Sequence, residues 1–209
     1  MKLILVRHGE TEWNREEIFR GRADVHLNET GIRQAELLAD YLKEADIEAV
    51  LSSPLKRAIS TAEIVARPHR LAVETVFGLI DFDYGEWGAT TRREAENRYP
   101  VLYQEWLTTP HLVTMPGGEC LMGMRKRALD VVNSVVSSHS GTVVLVSHRA
   151  VNKVIICALL GLDDSHFWNI RMDNAAITTF EYQNGIFILA GHNDTSFLKR
   201  LQKAPLRDF

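Results

Sequence analysis

The sequence predicts an α/β protein: a three-layer sandwich with a mostly parallel sheet, helices on both faces and an antiparallel edge strand. Three observations carry that expectation. Short apolar runs alternate with longer segments of helical periodicity, which is the pattern of a largely parallel sheet covered on both faces. Two of the runs, Leu3-Ile4-Leu5-Val6 and Val143-Val144-Leu145-Val146, are apolar throughout, as strands buried on both faces are. Near the C-terminal end, two further runs flank Gln183-Asn184-Gly185, and Asn-Gly between apolar runs is the strongest short hairpin signal.

Taken in order, Lys2 to Val6 is the first strand. Asn28-Glu29-Thr30 offers capping residues for a helix that runs through Ala35, Leu38, Ala39 and Leu42. Ala49-Val50-Leu51 is a short buried strand. Ser53-Pro54 then reads as an N-cap followed by Pro at the first helical position, with the helix continuing through Ile59, Ala62, Ile64 and Val65. Leu71 to Val76 is a third strand. A long helix is expected from Leu121 to Ser138, a strand from Thr142 to Val146, and a helix from Val151 to Leu160 that stops at Gly161. Ile177 to Tyr182 and Ile186 to Ala190 form the closing hairpin. The stretch from Leu79 to about Gly118 is irregular apart from a short helix at Arg92 to Arg98. Long irregular segments in compact domains are usually lids or binding loops. Residues 78–118 are therefore expected to form a lid or substrate-specificity insertion within one domain spanning 1–209.

The bulk numbers narrow the function classes. A net charge of −3 gives no reason to expect nucleic acid or an anionic membrane as partner. No apolar stretch is long enough to span a bilayer. Met1-Lys2 leads straight into the first strand and leaves no room for a signal peptide. The two cysteines, Cys120 and Cys157, are too few for a disulfide scaffold, and together these features point to a cytoplasmic protein.

Both apolar strands end in a histidine, His8 and His148. If the strands are neighbours, both imidazoles stand over the crevice at the carboxyl ends of the strands, where α/β sheets bind ligands. Metal binding, a nucleophile with its partner, and coincidence are all open at this point. A metal needs a third ligand, and the His-Glu-x-x-His spacing is absent. Arg7 adjoins His8, Arg149 adjoins His148, and Arg57 follows the second strand in Ser52-Ser53-Pro54-Leu55-Lys56-Arg57. Cations repel a divalent metal, whereas guanidinium forks match phosphate oxygens.

Leu5-Val6-Arg7-His8-Gly9-Glu10-Thr11 with Trp13-Asn14 resembles the Arg-His-Gly signature of the histidine phosphatase superfamily, in its phosphoglycerate-mutase-like branch. Gly21-Arg22-Ala23-Asp24 and Leu27-Asn28-Glu29-Thr30-Gly31 are similar to that branch's segment before the first long helix. Ser52 to Ala58 with Thr61-Ala62, Pro116-Gly117-Gly118-Glu119 and Val146-Ser147-His148 resemble its later motifs, in the same order. The resemblance implies a phosphatase acting on small phosphomonoesters, with His8 attacking phosphorus to give a phosphohistidine intermediate. It places Arg7, Arg57 and His148 around the phosphoryl oxygens, with Asn14 and Gly21 as further substrate contacts. Such a cluster neutralises a phosphate dianion without Mg²⁺, so neither metal nor cofactor is expected. Each charge-assisted contact supplies roughly 2 to 4 kcal/mol by analogy with an oxyanion-hole donor.

Two departures from the branch stand out. It usually carries a Glu as proton donor before a Phe-Gly-x-Trp-Glu-Gly pattern. This chain reads Leu79-Ile80-Asp81-Phe82-Asp83-Tyr84-Gly85-Glu86-Trp87-Gly88-Ala89, which puts the shorter Asp81 at that place and leaves Asp83 and Glu86 as alternatives. A small residue commonly follows the second histidine, where this chain has Arg149; it is either solvated or a contact to a second anionic group of the substrate. The compact length favours a phosphatase over a cofactor-dependent phosphoglycerate mutase. A weakly active phospholigand-binding relative is the reading motivated by Asp81. The expected partner is a small phosphorylated metabolite, and a homodimer stays open.

Overall fold

The computed structural model describes residues 1–199 and 201. The expectation of a domain over 1–209 thus takes in residues 200 and 202–209, which lie outside the described residues.

Six strands form one sheet: β1 (Lys2–Arg7), β2 (Ile47–Ser52), β3 (Val73–Thr75), β4 (Thr142–Ser147), β5 (Ile177–Gln183) and β6 (Ile186–Asp194). Their order is β3-β2-β4-β1-β5-β6. The pairs β3–β2, β2–β4 and β4–β1 are parallel, and β5 and β6 add the antiparallel edge as a hairpin. Asn184 and Gly185 both take positive φ, 50° and 83°, as a two-residue turn of this kind requires.

The helices are α1 (Glu12–Arg15), α2 (Glu29–Leu42), α3 (Lys56–Ala66), α4 (Arg92–Arg98), α5 (Pro100–Thr108), α6 (Leu121–Ser138) and α7 (Arg149–Leu159). Alternation along β1 assigns them to two layers, because successive side chains on a strand point to opposite faces. Ile4 and Val6 pack with Leu38 and Leu42 of α2 and with Ala58, Ala62 and Val65 of α3. Leu3 and Leu5 face the other way, into a larger cluster with Val132 and Val135 of α6, Val151 and Ile155 of α7, and Trp106 of α5. No helix among the described residues is long and apolar enough to cross a membrane.

The departures from expectation are local. The helix after β2 starts at Lys56 with Leu55 as its N-cap, two residues beyond Ser53-Pro54. Ser53 does not cap it, because its hydroxyl lies 2.7 Å from Nε2 of His148. The helix after β4 starts at Arg149, earlier than Val151, with His148 in the extended N-cap conformation. α5 falls inside the stretch read as irregular; Pro100 at its first turn is a start signal, and Tyr103 and Trp106, three apart, bury one side.

Candidate active site

β1 and β4 run parallel in register, with Arg7 opposite Ser147, so the next residue on each strand is a histidine. The His8 and His148 rings stand side by side, centroids 5.2 Å apart. Nδ1 of His8 lies 2.6 Å from the carbonyl oxygen of Gly9. A carbonyl can only accept, so Nδ1 carries the proton, and a neutral ring then exposes a lone pair on Nε2. Burial, followed by the positive fields of Arg57, His148, Arg7 and Arg20, holds His8 well below the usual imidazole value of 6.5. His148 is held low by burial and by Arg57, Arg20, Arg127 and Arg7. Both rings are therefore neutral at pH 7.

Two arginines are buried beside them, Arg7 at 1% and Arg57 at 0% exposure. A guanidinium removed from water is costly unless its N–H groups are satisfied. Arg7 Nη1 donates to the carbonyl of Met172 at 2.8 Å. Arg57, in the first turn of α3, donates through Nη1 to the carbonyl of Ala23 at 2.7 Å. Its Nη2 donates to the carbonyl of Gly21 at 2.8 Å and to Oδ2 of Asp81 at 2.9 Å.

A cleft opens over His8, walled by Glu17, Ile18, Phe19, Arg20, Gly21, Asp81, Tyr84, Arg149 and Ala150. Asp81 thus sits in the same cleft as His8, with Oδ2 also 3.5 Å from Nδ1 of His148. Asp83 and Glu86 do not line it. Asp83 pairs with Arg22 at 3.2 Å, and Glu86 accepts from the Tyr99 hydroxyl. Gly21 and Arg149 are both on the cleft wall. The Arg149 guanidinium lies 5.9 Å from the centre of the Trp168 ring, within cation–π range, and Trp168 is itself fixed by an N–H bond of 2.7 Å to the Trp106 carbonyl. Asn14 is buried within α1 rather than on the cleft wall. Its Oδ1 accepts from Thr11 and Asn174, and its Nδ2 is buried with no hydrogen-bond partner.

Several residues of this neighbourhood carry no sequence signal of the strand-end kind. Arg20 lies on an irregular segment, and only its place beside Gly21 hints at it. Met172 acts through a carbonyl, which any residue supplies. Asn174 donates to the His8 carbonyl at 3.3 Å from a loop before β5. Ser53 is readable only as a cap. Conversely, Tyr103 and Trp106, within the expected lid, are core residues at 1% exposure each. Among the described residues, no group of three His, Cys, Asp or Glu side chains is placed to hold a metal ion.

Comparison with known proteins identifies the family. The family model described as histidine phosphatase superfamily (branch 1) matches residues 3–195. The chain is 36% identical over 199 residues to phosphoserine phosphatase 1 of Hydrogenobacter thermophilus, covering 95% of this chain and 94% of that protein. YhfR of Bacillus stearothermophilus superposes with a TM-score of 0.91 at 32% identity, over 95% of this chain and 99% of that one. A mutant phosphoserine phosphatase from Entamoeba histolytica, solved in complex with phosphoserine, superposes with a TM-score of 0.84 at 30% identity, over 94% and 98% of the two chains.

Proposed function

The chain belongs to branch 1 of the histidine phosphatase superfamily and is a phosphoric monoester hydrolase, and from that premise we propose that it hydrolyses small, acidic phosphomonoesters through a phosphohistidine on His8. The observation that carries the reading is the bond from Nδ1 of His8 to the Gly9 carbonyl, which leaves the Nε2 lone pair free. In the first step Nε2 attacks phosphorus in line, the P–O bond to the leaving group breaks, and the carboxyl of Asp81 gives its proton to the departing alkoxide. In the second step Asp81, now a carboxylate, takes a proton from water; the water oxygen bonds to phosphorus and the P–Nε2 bond breaks, releasing inorganic phosphate. Arg7, Arg57 and His148 hold the equatorial oxygens. Phosphoryl transfer asks little else of the protein than positioning and charge stabilisation. Asn14 supplies its unpartnered Nδ2 as a further donor, and Gly21 shapes the wall.

The substrate class follows from the two extra cations on the cleft wall, Arg20 and Arg149, beyond those assigned to the phosphoryl group. They suit a second anion such as the carboxylate of a phosphorylated amino or hydroxy acid, and the 36% identity to a protein named phosphoserine phosphatase supports this. In this reading residues 78–118 are the specificity segment, contributing Asp81 and Tyr84 to the wall while the helices behind them pack in the core.

The test is a phosphomonoester panel at mildly acidic pH without added metal, with acid quench during turnover. A phosphoryl group that is acid-labile and maps to His8, together with loss of hydrolysis in His8→Ala, is expected; unchanged turnover in His8→Ala would sink the mechanism.

A further inference from the structure

Arg127 lies on α6, away from the cleft wall, yet it makes five hydrogen bonds and three of them go to the backbone that carries Asp81. Nη1 donates to the carbonyls of Gly78 at 2.8 Å and Ile80 at 2.6 Å, and Nη2 to the carbonyl of Asp81 itself at 3.1 Å. The remaining carbonyl of this stretch, Leu79, accepts from the Ser147 hydroxyl at 2.7 Å. Every carbonyl from Gly78 to Asp81 is thus held from α6 or from the residue before His148.

The Arg127 guanidinium is in turn fixed by Glu119, whose two carboxylate oxygens accept at 2.8 and 3.0 Å. Glu119 also grips the far side of the segment: its N–H donates to the Asp83 carbonyl at 2.9 Å and its Oε2 accepts from the Asp83 N–H at 3.1 Å. Burial works against the Glu119 carboxylate, but Arg127, the Asp83 N–H and Arg22 hold it below the usual carboxylate range, so it is ionised at neutral pH. The turn before Glu119 lies against the same backbone. A Cβ on Gly118 would stand 2.4 Å from the Asp83 carbonyl oxygen, and one on Gly85 would stand 2.0 Å from that of Pro116.

We propose that Arg127 and Glu119 are positioning residues for the proton donor, a brace that sets the distance from the Asp81 carboxyl to the leaving-group oxygen. The proposal rests on the assignment of Asp81 as the acid. It also accounts for the Pro116-Gly117-Gly118-Glu119 motif, which supplies nothing to the cleft wall. The physical reason is the length of the side chain. An Asp has one methylene fewer than the Glu usual in this branch, so its reach is set almost wholly by where its backbone lies, and proton transfer demands hydrogen-bond distance. A misplacement of about 1 Å costs up to about 100-fold in rate.

The experiment measures kcat/KM of Arg127→Met, Glu119→Gln, Asp81→Asn and the double variant Asp81→Asn with Arg127→Met. The substrates are 2,4-dinitrophenyl phosphate, whose leaving group needs no proton, and phosphoserine, whose alkoxide does. The brace predicts that Arg127→Met loses about 10-fold more on phosphoserine than on the dinitrophenyl ester. It further predicts that the double variant is no more selective than Asp81→Asn alone, because the brace acts only through that carboxyl. If Arg127→Met does not fold, Glu119→Gln, which keeps shape and loses charge, must show the same selectivity in smaller degree. If Asp81→Asn is selective but both brace variants lower the two rates equally, the brace is overturned and the acid stands. If Asp81→Asn is itself unselective, the acid assignment falls and takes the brace with it.

Discussion

Arg57 and Asp81 are joined at 2.9 Å, so the guanidinium that the proposed mechanism aims at the phosphoryl group is also the partner of the carboxylate. The two uses compete. On the proposed mechanism, a bound phosphoryl dianion would draw the Arg57 N–H groups towards itself and free an Asp81 oxygen to carry a proton to the leaving group. Asp81→Asn keeps the shape but has no proton to give. Its kcat/KM is expected to fall about 100-fold or more for alkyl phosphates and to change little for aryl phosphates with acidic leaving groups. A uniform loss in steady-state kinetics across leaving groups would remove Asp81 from the role.

Arg149 stands on the cleft wall with its guanidinium near the Trp168 ring. In Arg149→Gly, KM for a phosphomonoester with a carboxylate should rise about 10-fold or more, the worth of one charge-assisted hydrogen bond. KM for a neutral phosphomonoester should stay nearly constant. Equal changes for both would return Arg149 to the solvated helix start.

The depressed imidazoles give stability a predictable slope with pH. The unfolded chain takes up protons at both positions as pH falls through about 6.5, while the buried His8 and His148 do not until well below it. Stability is therefore full above that pH and declines as pH falls, by up to about 1.4 kcal/mol per pH unit for each histidine. Urea midpoints at pH 7, 6 and 5 should fall less steeply in His148→Gln than in the parent chain, and parallel slopes would contradict the assignment. If His8 is the nucleophile, as proposed, the same depression keeps its lone pair available in acid, so the acidic limb of kcat/KM should lie below 6.5.

Two glycines five residues apart, one in a turn and one in a helix, should respond oppositely to alanine. Gly118→Ala drives a methyl group to 2.4 Å from the Asp83 carbonyl oxygen and is expected to cost roughly 1 to 3 kcal/mol. Gly123, inside α6, has no neighbour nearer than the Cys120 sulfur at 3.8 Å, so Gly123→Ala should stabilise by about 0.5 to 1 kcal/mol. Thermal unfolding of the two variants beside the parent chain measures both.

The sheet, the two strand-end histidines and the flanking arginines were legible because their signals are local. An apolar run that stops at Arg7-His8 states both burial and chemistry, and the in-register pairing of β1 with β4 does the rest. What escaped the sequence works through the backbone or across long separations. Arg127 acts on carbonyls that have no side-chain identity, and Met172 holds Arg7 in the same way. Ser53 reads as a helix cap because a hydroxyl before Pro has that local meaning, whereas its partner His148 is far away in sequence, at the N-cap of α7. By residue type alone, the aromatic residues of the expected lid suit a ligand site or a core equally. Trp106, packed on Phe82, Phe167 and Trp168, belongs to the core.

The place of β1 in the sheet also sets a timetable for the chain's birth. β1 is a central strand, and its neighbours are β4 and β5, with Lys2 paired to Thr142 on one side and Glu181 on the other. On the ribosome, where synthesis proceeds at about 5 to 20 residues per second, it emerges before its flanking strands and waits several seconds or more for them. Until then its Leu-Ile-Leu-Val run stays exposed, a hazard for association with other nascent chains. Arg7, His8 and His148 meet only when β1 pairs with β4, so recovery of turnover after dilution from denaturant reports a strongly non-local event in folding, which topology makes slow.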